Sequence, residues 1–138
     1  MRIMLDTNIL ISALLFPNER MNRMIEFISL NHDLVLSSYV IDELKAVVIR
    51  KFPSKKAIID KLLTRMSFEL VYTPENIPNE IFDIRDKKDY PVLYTAIIEN
   101  IDILITGDKD FADVTVLSPE ICTPVVFIER YMNNGYIK

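Results

Sequence analysis

Arg2-Ile3-Met4-Leu5-Asp6-Thr7-Asn8 is the stretch that decides the fold of this chain. Its apolar run predicts a buried strand, and a helical pattern of apolar residues begins as soon as the run ends. Asp6 therefore stands at the C-terminal end of a strand, where open α/β sheets bind their ligands. A carboxylate directly before a helix can also serve as an N-cap. Asp6 alone leaves both interpretations open, and residues elsewhere in the chain must decide between them.

Short apolar runs alternate with amphipathic helical patterns along the rest of the chain. Further strands are predicted at residues 34–36, 70–72, 103–105 and 114–117. Helical periodicity fills the intervals, and a final helix is predicted from Thr123-Pro124 through Tyr131. Strands that alternate with helices form a parallel sheet covered by helices. We therefore predict an α/β fold, a three-layer α/β/α sandwich with a central, mostly parallel sheet, in a single domain spanning residues 1–138.

The composition excludes several classes of site. His32 is the only histidine and Cys122 the only cysteine, so one chain cannot assemble a His- or Cys-rich zinc site. A Ser-His-Asp triad would depend wholly on His32, which reads as a surface turn residue. The two glycines leave no room for a phosphate-cradling loop. Carboxylates are abundant, with 20 Asp and Glu against 16 Lys and Arg. Chemistry built on carboxylates and oxygen-loving metals is the class that remains.

The sequence also indicates where the protein resides. No apolar run is long enough to span a membrane, and the N-terminus lacks the apolar core of a signal peptide. A single cysteine allows no internal disulfide and fits a reducing compartment. We expect a soluble, cytoplasmic protein.

Four acidic residues are candidates for one site. Asp6 and Asp108 each follow a predicted parallel strand, so both point into the same crevice. Asp89 begins a helix, and Glu43 lies in the third helix beside apolar positions. Each has a plainer explanation, since Asp89 could be a cap, Asp108 a turn residue and Glu43 a solvated helix residue. Converging carboxylates repel one another unless a cation lies between them, and proteins accept that cost mainly at functional sites.

The motifs that carry these residues resemble those of a known family. Asp-Thr-Asn after the first strand, Ser-x5-Glu-Leu in the third helix, Asp-x-Pro-x-Leu later and then Thr-Gly-Asp-Lys-Asp-Phe look like the PIN-domain nucleases. The compact prokaryotic branch, the VapC-like toxins of toxin–antitoxin pairs, is the most similar. The resemblance implies Mg²⁺-dependent hydrolysis of RNA phosphodiester bonds, with one or two Mg²⁺ or Mn²⁺ ions. It also implies an acidic quartet of Asp6, Glu43, Asp89 and Asp108.

Within that quartet the resemblance implies a division of labour. Asp6, Asp89 and Asp108 would hold metal, and Glu43 would orient the attacking water. Asn8 and Thr106 would tie the site together by hydrogen bonds. Asp86 and Asp110 are alternates, because each is close in sequence to a proposed ligand. An ungapped alignment would place Tyr90 at the third acidic position, and we favour Asp89 with a loop one residue longer.

An acidic site must still attract a polyanion, and the net charge of −4 has the wrong sign. The third and fourth predicted helices are locally basic, which favours phosphate binding or the docking of an acidic antitoxin segment. The candidate RNA-binding residues are Lys87, Lys88, Lys109, Arg50 and Lys51. Solvated helix faces explain single lysines equally well.

Three functions remain open at this point. The first is a Mg²⁺-dependent endoribonuclease toxin, with an antitoxin as partner and a homodimer as its assembly. The second is a catalytically silent RNA- or protein-binding module on the same fold. The third is a phosphoaspartyl enzyme, which is disfavoured because Asn8 occupies the position where those enzymes need a second Asp.

Overall fold

A five-stranded, wholly parallel sheet forms the centre of the computed structural model, which describes residues 1–16, 18–78, 81–84, 87–111 and 114–133. Its strands are β1 (Arg2–Leu5), β2 (Asp33–Ser37), β3 (Glu69–Val71), β4 (Ile103–Ile105) and β5 (Glu120–Cys122). They lie side by side in the order β3-β2-β1-β4-β5. This arrangement confirms the predicted fold class.

Six α-helices connect or follow these strands in the described residues. They are α1 (Thr7–Leu15), α2 (Glu19–Asn31), α3 (Ser38–Lys51), α4 (Lys56–Arg65), α5 (Tyr90–Ile98) and α6 (Pro124–Phe127). Short 3-10 turns occur at Pro53–Lys55, Lys87–Asp89 and Lys109–Phe111, and a π-helical turn, Ile128–Met132, continues α6. None of the helices in the described part of the chain is long and apolar enough to cross a lipid bilayer.

The connections explain the layers. The first two crossovers, through α1–α2 and α3–α4, step from β1 to β2 and on to β3. The third crossover, through α5, returns past β1 to β4 on its other side. Because such crossovers are right-handed, the first two sets of helices cover one face of the sheet and α5 covers the other. The sheet is thereby buried between helices.

Burial on both faces accounts for the apolar strands. Every residue of β4 and all but the first of β1 and β2 are buried, as expected for strands covered on both sides. The register pairs Ile3 with Leu34 on one side and with Ile103 on the other. β1 is thus the central strand, with its C-terminal end fixed between two neighbours.

One predicted strand is wrong. Residues 114–117 form no strand, and β5 lies a few residues later at Glu120–Cys122. The β-branched residues of 114–117 have high strand propensity, but that propensity reflects packing on a half-buried surface. Thr115 and Leu117 are instead exposed. The final helix begins at Pro124 as predicted, with the Thr123 hydroxyl accepting the Val126 N–H at 3.3 Å as its cap.

Candidate metal centre

Asp6 lies at the point where the strand order reverses. Crossovers leave β1 toward β2 on one side, and the chain returns to β4 on the other. Open α/β sheets bind ligands in the crevice at this switch point, outside the C-terminal ends of the strands. The Asp6 N–H donates to the Ile105 carbonyl at 3.0 Å, which extends the β1–β4 ladder by one bond. The backbone thus holds Asp6 against the turn that follows β4.

Hydrogen bonds fix both oxygens of the Asp6 carboxylate. Oδ1 accepts the Thr7 N–H at 2.7 Å, and Oδ2 accepts the Thr106 hydroxyl at 2.8 Å. The Thr106 oxygen in turn accepts the Asp108 N–H at 3.0 Å. Thr106 therefore links Asp6 and Asp108 through its hydroxyl group. Asp6 does cap α1, but through the first helical N–H and not the second or third that an N-cap side chain usually binds.

Three of the four predicted carboxylates come together. One carboxylate oxygen each of Asp6, Asp89 and Asp108 lie within 4.8 Å of one another. Asp6 is 3% exposed and Asp89 is 9% exposed, whereas Asp108 is half-buried. These donors are hard oxygens, a set that suits Mg²⁺ or Mn²⁺, and no histidine or cysteine joins them in the described residues.

Asp89 reaches the cluster through the 3-10 turn before α5. It occupies the N-cap position of α5 but makes no capping hydrogen bond with its side chain, and Pro91 lies in the first turn. The Tyr39 hydroxyl donates to the Lys88 carbonyl at 3.1 Å, so α3 holds this turn in place. Tyr39 was not predicted as a site residue, although it precedes Glu43 by one helical turn and so shares its face.

The electrostatics place Glu43 near the cluster. Burial raises the pKa of Asp6, and the hydrogen bonds from Thr106 and Thr7 partly oppose that shift. The negative charges of Glu43 and Asp108 raise the Asp6 pKa further. Glu43 is half-buried and lies outside the group of three. The charge of Glu43 therefore raises the pKa of Asp6 from outside the three clustered carboxylates.

Other predicted supporting residues have different outcomes. Asn8 is exposed, and none of the described residues hydrogen-bonds to its side chain, so the tie expected of it is made by Thr106 alone. Asp86 and the side chain of Asp110 lie outside what the structure describes. Thr7 is not among the site residues that the sequence predicts. It is buried, and its hydroxyl has no hydrogen-bond partner among the described residues.

The predicted RNA-binding residues divide into two groups. Lys87, Lys88 and Lys109 are exposed and lie next in sequence to the clustered carboxylates. Arg50 and Lys51 are exposed too, but Arg50 comes seven residues after Glu43, about 10 Å farther along α3. Since α3 starts at the C-terminal edge of the sheet and runs back along it, these two residues lie toward the opposite edge. The structure does not bring them to the cluster.

The local excess of positive charge is partly used for structure. The Lys55 ammonium donates to the Leu15 carbonyl at 3.2 Å, at the C-terminal end of α1, where a cation is favoured. Lys56 pairs with Asp60 one turn along α4, at 3.4 Å.

His32 also lies away from the cluster, because its Nδ1 is 3.2 Å from the Met1 amino group at the N-terminal edge of the sheet.

Comparison with solved structures finds the same fold in proteins of three bacteria. VapBC2 from Rickettsia felis, bound to a DNA fragment from their promoter, matches with a TM-score of 0.68 and 20% identity, covering 89% of this chain and 98% of that chain. DNA-bound VapBC from Salmonella typhimurium gives 0.67 and 15%, covering 90% and 98%. FitAcB from Neisseria gonorrhoeae gives 0.62 and 20%, covering 89% and 98%. At these identities the likeness concerns the fold alone.

Sequence comparison identifies the family. No curated protein matches this chain. The profile of one protein family, the PIN domain, matches residues 2–110, a span that contains β1 through β4 and all four predicted acidic residues. The chain belongs to the PIN-domain family.

Proposed function

We propose that this protein is a Mg²⁺-dependent endoribonuclease and the toxin of a type II toxin–antitoxin pair, with residues 1–138 forming one nuclease domain. The observation that carries the proposal is the approach of the Asp6, Asp89 and Asp108 carboxylates to within 4.8 Å at the switch point of the sheet. Three carboxylates this close repel one another, and a divalent cation relieves that repulsion. Nucleases of the PIN-domain family are expected to use such an ion.

The residues fit a hard divalent ion. Asp6, Asp89 and Asp108 would hold Mg²⁺ or Mn²⁺, and the hydrogen bonds of Thr106 and Thr7 keep Asp6 in one orientation. A bound ion would polarise the scissile phosphate and make an attacking water more acidic. Glu43, which is half-buried and whose charge acts on Asp6, would orient that water and accept its proton. No side chain needs to act as a nucleophile.

The surroundings bear on how an acidic site receives RNA. Lys87, Lys88 and Lys109 are exposed beside the cluster, and we assign them to phosphates that flank the scissile bond. We assign no such role to Arg50 and Lys51, since they lie toward the other edge of the sheet.

Partners follow from the structural neighbours. The similar structures are VapBC and FitAcB complexes, so we propose that an antitoxin protein binds and restrains this chain in the cytoplasm. We further propose a homodimer, as expected from the sequence. The exposed basic residues of α3 and α4 would attract an acidic antitoxin segment.

The test compares the wild-type protein with Asp6→Asn and Asp89→Asn in RNA cleavage with Mg²⁺, with Mn²⁺ and with EDTA. Asp33→Asn is the matched control, because it makes the same change on an exposed side chain at the start of β2, away from the cluster. We expect cleavage by the wild type and by Asp33→Asn with either metal, and none with EDTA or from the two site variants.

Two results would contradict the proposal. Cleavage that survives both site substitutions would show that the carboxylates do not carry the chemistry. RNA binding without cleavage under any metal condition would favour the catalytically silent binding module instead.

A further inference from the structure

Asp89 reaches the acidic cluster on a short turn and not on a strand. Asp6 and Asp108 follow β1 and β4, two strands that are paired with each other. Asp89 ends the 3-10 turn Lys87–Asp89, and α5 begins at the next residue. Its carboxylate must still be placed accurately, because the distances from a metal ion to its ligands vary by only about 0.2 Å. The position of this turn therefore affects how tightly the cluster can bind an ion.

The Tyr39 hydroxyl holds the peptide bond that leads into Asp89. It donates at 3.1 Å to the Lys88 carbonyl, which is the carbonyl group of that peptide bond. A peptide bond is planar, so a hydrogen bond to this oxygen constrains the plane that also contains the Cα atom of Asp89. The Tyr39 ring packs against the hydrophobic core, which keeps its hydroxyl in one place. The backbone of Asp89 is therefore connected to the core through α3.

A second route of hydrogen bonds holds the first turn of α5. The Thr95 hydroxyl donates to the Pro91 carbonyl at 2.7 Å, and its oxygen lies 2.9 Å from the Thr73 hydroxyl oxygen. The Thr73 N–H donates to Ser38 Oγ at 2.9 Å. Ser38 is the first residue of α3, so this route also leads to the start of that helix. The backbone on both sides of Asp89 is thus connected to the first turn of α3.

We propose that Tyr39 is a positioning residue, which holds the Asp89 carboxylate where it can bind Mg²⁺. The inference rests on the proposed metal site and nuclease function. Tyr39 precedes Glu43 by one turn of α3, so one face of this helix carries both the hydroxyl that positions a ligand and the carboxylate assigned to the attacking water. One helix therefore sets the places of Asp89 and Glu43 together.

Two ions of different size make this role measurable. Mg²⁺ requires a nearly ideal octahedron of oxygens at about 2.0–2.1 Å, whereas Ca²⁺ accepts irregular sets of about six to eight oxygens at about 2.3–2.6 Å. A displaced Asp89 carboxylate therefore lowers the affinity for Mg²⁺ more than the affinity for Ca²⁺. A substitution that only destabilises the fold leaves the ratio of the two Kd values unchanged.

The experiment measures the binding of Mg²⁺ and of Ca²⁺ to the wild type and to Tyr39→Phe by isothermal titration calorimetry, without RNA. Phenylalanine keeps the ring and lacks the hydroxyl. The Kd for Mg²⁺ should rise about three- to tenfold, which corresponds to one neutral hydrogen bond, and the Kd for Ca²⁺ less than about twofold. At limiting Mg²⁺ the kcat for RNA cleavage should fall by the same factor as the Mg²⁺ affinity. Excess Mg²⁺ should restore kcat, with the KM for RNA unchanged throughout.

Two control variants separate positioning from stability. Tyr72→Phe removes the same hydroxyl from an exposed ring that follows β3, and it should change neither Kd. Asn18→Ala removes the side-chain oxygen that accepts the Arg20 and Met21 N–H groups at the start of α2. It should lower the melting temperature, as the loss of a helix cap does, and leave both Kd values at those of the wild type.

The outcomes distinguish the positioning role from the catalytic function. An unchanged Mg²⁺ Kd in Tyr39→Phe, or an equal loss of affinity for Mg²⁺ and Ca²⁺, would overturn the positioning role alone. A change in the Kd ratio of Asn18→Ala as large as that of Tyr39→Phe would overturn it too. A selective loss of Mg²⁺ affinity in Tyr39→Phe, together with no RNA cleavage by the wild type, would support the positioning role and overturn the nuclease function. If the wild type binds neither ion, both proposals are wrong.

Discussion

Replacing Thr106 by Val tests whether the Thr106 hydroxyl stabilises the cluster of carboxylates through its two hydrogen bonds. The Thr106 hydroxyl is buried between two acidic residues, where it donates to Asp6 Oδ2 at 2.8 Å and accepts the Asp108 N–H at 3.0 Å. Valine fills a similar volume but makes neither bond. Thr106→Ser keeps the hydroxyl and loses only a methyl group, so it is the matched control.

The expected loss of stability follows from these two bonds. A hydrogen bond to a charged group contributes about 1.5–3 kcal/mol, and a partly buried N–H left without an acceptor adds about 1 kcal/mol. We therefore expect Thr106→Val to lower the free energy of unfolding by roughly 2–4 kcal/mol, out of a total of about 5–15 kcal/mol for a domain. For a chain of this length the melting temperature should fall by about 10 °C. Thr106→Ser should lose less than half as much.

The pH dependence gives a second readout of the same substitution. Burial already raises the pKa of Asp6 above its unfolded value, and the Thr106 hydrogen bond opposes that shift. A raised carboxyl pKa means that the folded state holds the proton more tightly, so stability falls as pH rises from the unfolded pKa through the folded one. Thr106→Val should raise the Asp6 pKa further and extend this fall to higher pH. The acidic limb of the cleavage profile should move to higher pH as well.

The assay is thermal unfolding of the metal-free proteins between pH 4 and pH 8, followed by circular dichroism. The difference between the Val and Ser variants should be smallest in acid, where Asp6 is protonated in both, and should grow toward neutral pH. Equal melting temperatures for the two variants at pH 7 would refute the assigned hydrogen bonds. An unchanged pH dependence would refute the electrostatic part of the reasoning.

Three other predictions concern residues in and around the centre. Without metal at neutral pH, Asp6→Asn should melt at or above the wild-type temperature, because it removes a buried carboxylate whose pKa is raised. Mg²⁺ at a hundred times its Kd should stabilise the wild type by about 2.7 kcal/mol and the variant far less, and scanning calorimetry measures both effects. Glu43→Gln should lower kcat by about 10²- to 10⁴-fold, whereas Asp42→Asn, at the exposed neighbouring position, should stay near the wild type in the same cleavage assay. Equal losses in the two variants would show that Glu43 does not act on the attacking water. Lys55→Met should lower the free energy of unfolding in urea by about 1 kcal/mol, because it removes the hydrogen bond to the C-terminal end of α1. Lys61→Met, at an exposed position on α4, should leave that free energy unchanged, and the reverse order would show that the Lys55 contact does not stabilise α1.

The sequence was most informative where a residue stands at the end of a buried strand. The short apolar runs Ile3–Leu5 and Ile103–Ile105 predict strands covered on both faces, and the paired strands bring Asp6 and the Thr106–Asp108 turn to one crevice. Asp89 was harder, because its position depends on the path of the chain before α5, yet it too joins the group.

Other features could not be predicted from local patterns. Residues 114–117 have the composition of a strand, but the neighbour of β4 is chosen by tertiary packing, and β5 forms at Glu120–Cys122 instead. The Thr7 hydroxyl, which has no hydrogen-bond partner within the described part of the chain, and the bond from Tyr39 to the Lys88 carbonyl both depend on contacts that no periodicity encodes. The basic residues of α3 can be read from the sequence, whereas only the fold shows that α3 runs away from the carboxylate cluster.

The bond between Asp6 and Thr106 joins residues 100 positions apart in the chain. β1 can pair with β2 early in synthesis, but β4 must emerge and dock on the other side of β1 before Thr106 and Asp108 reach Asp6. At synthesis rates of about 5–20 residues per second, that interval lasts roughly 5–20 s. Throughout it the nascent chain carries Asp6 without its partners. The three carboxylates therefore cannot come together, and the site for a cation cannot exist, until nearly four fifths of the protein has been built.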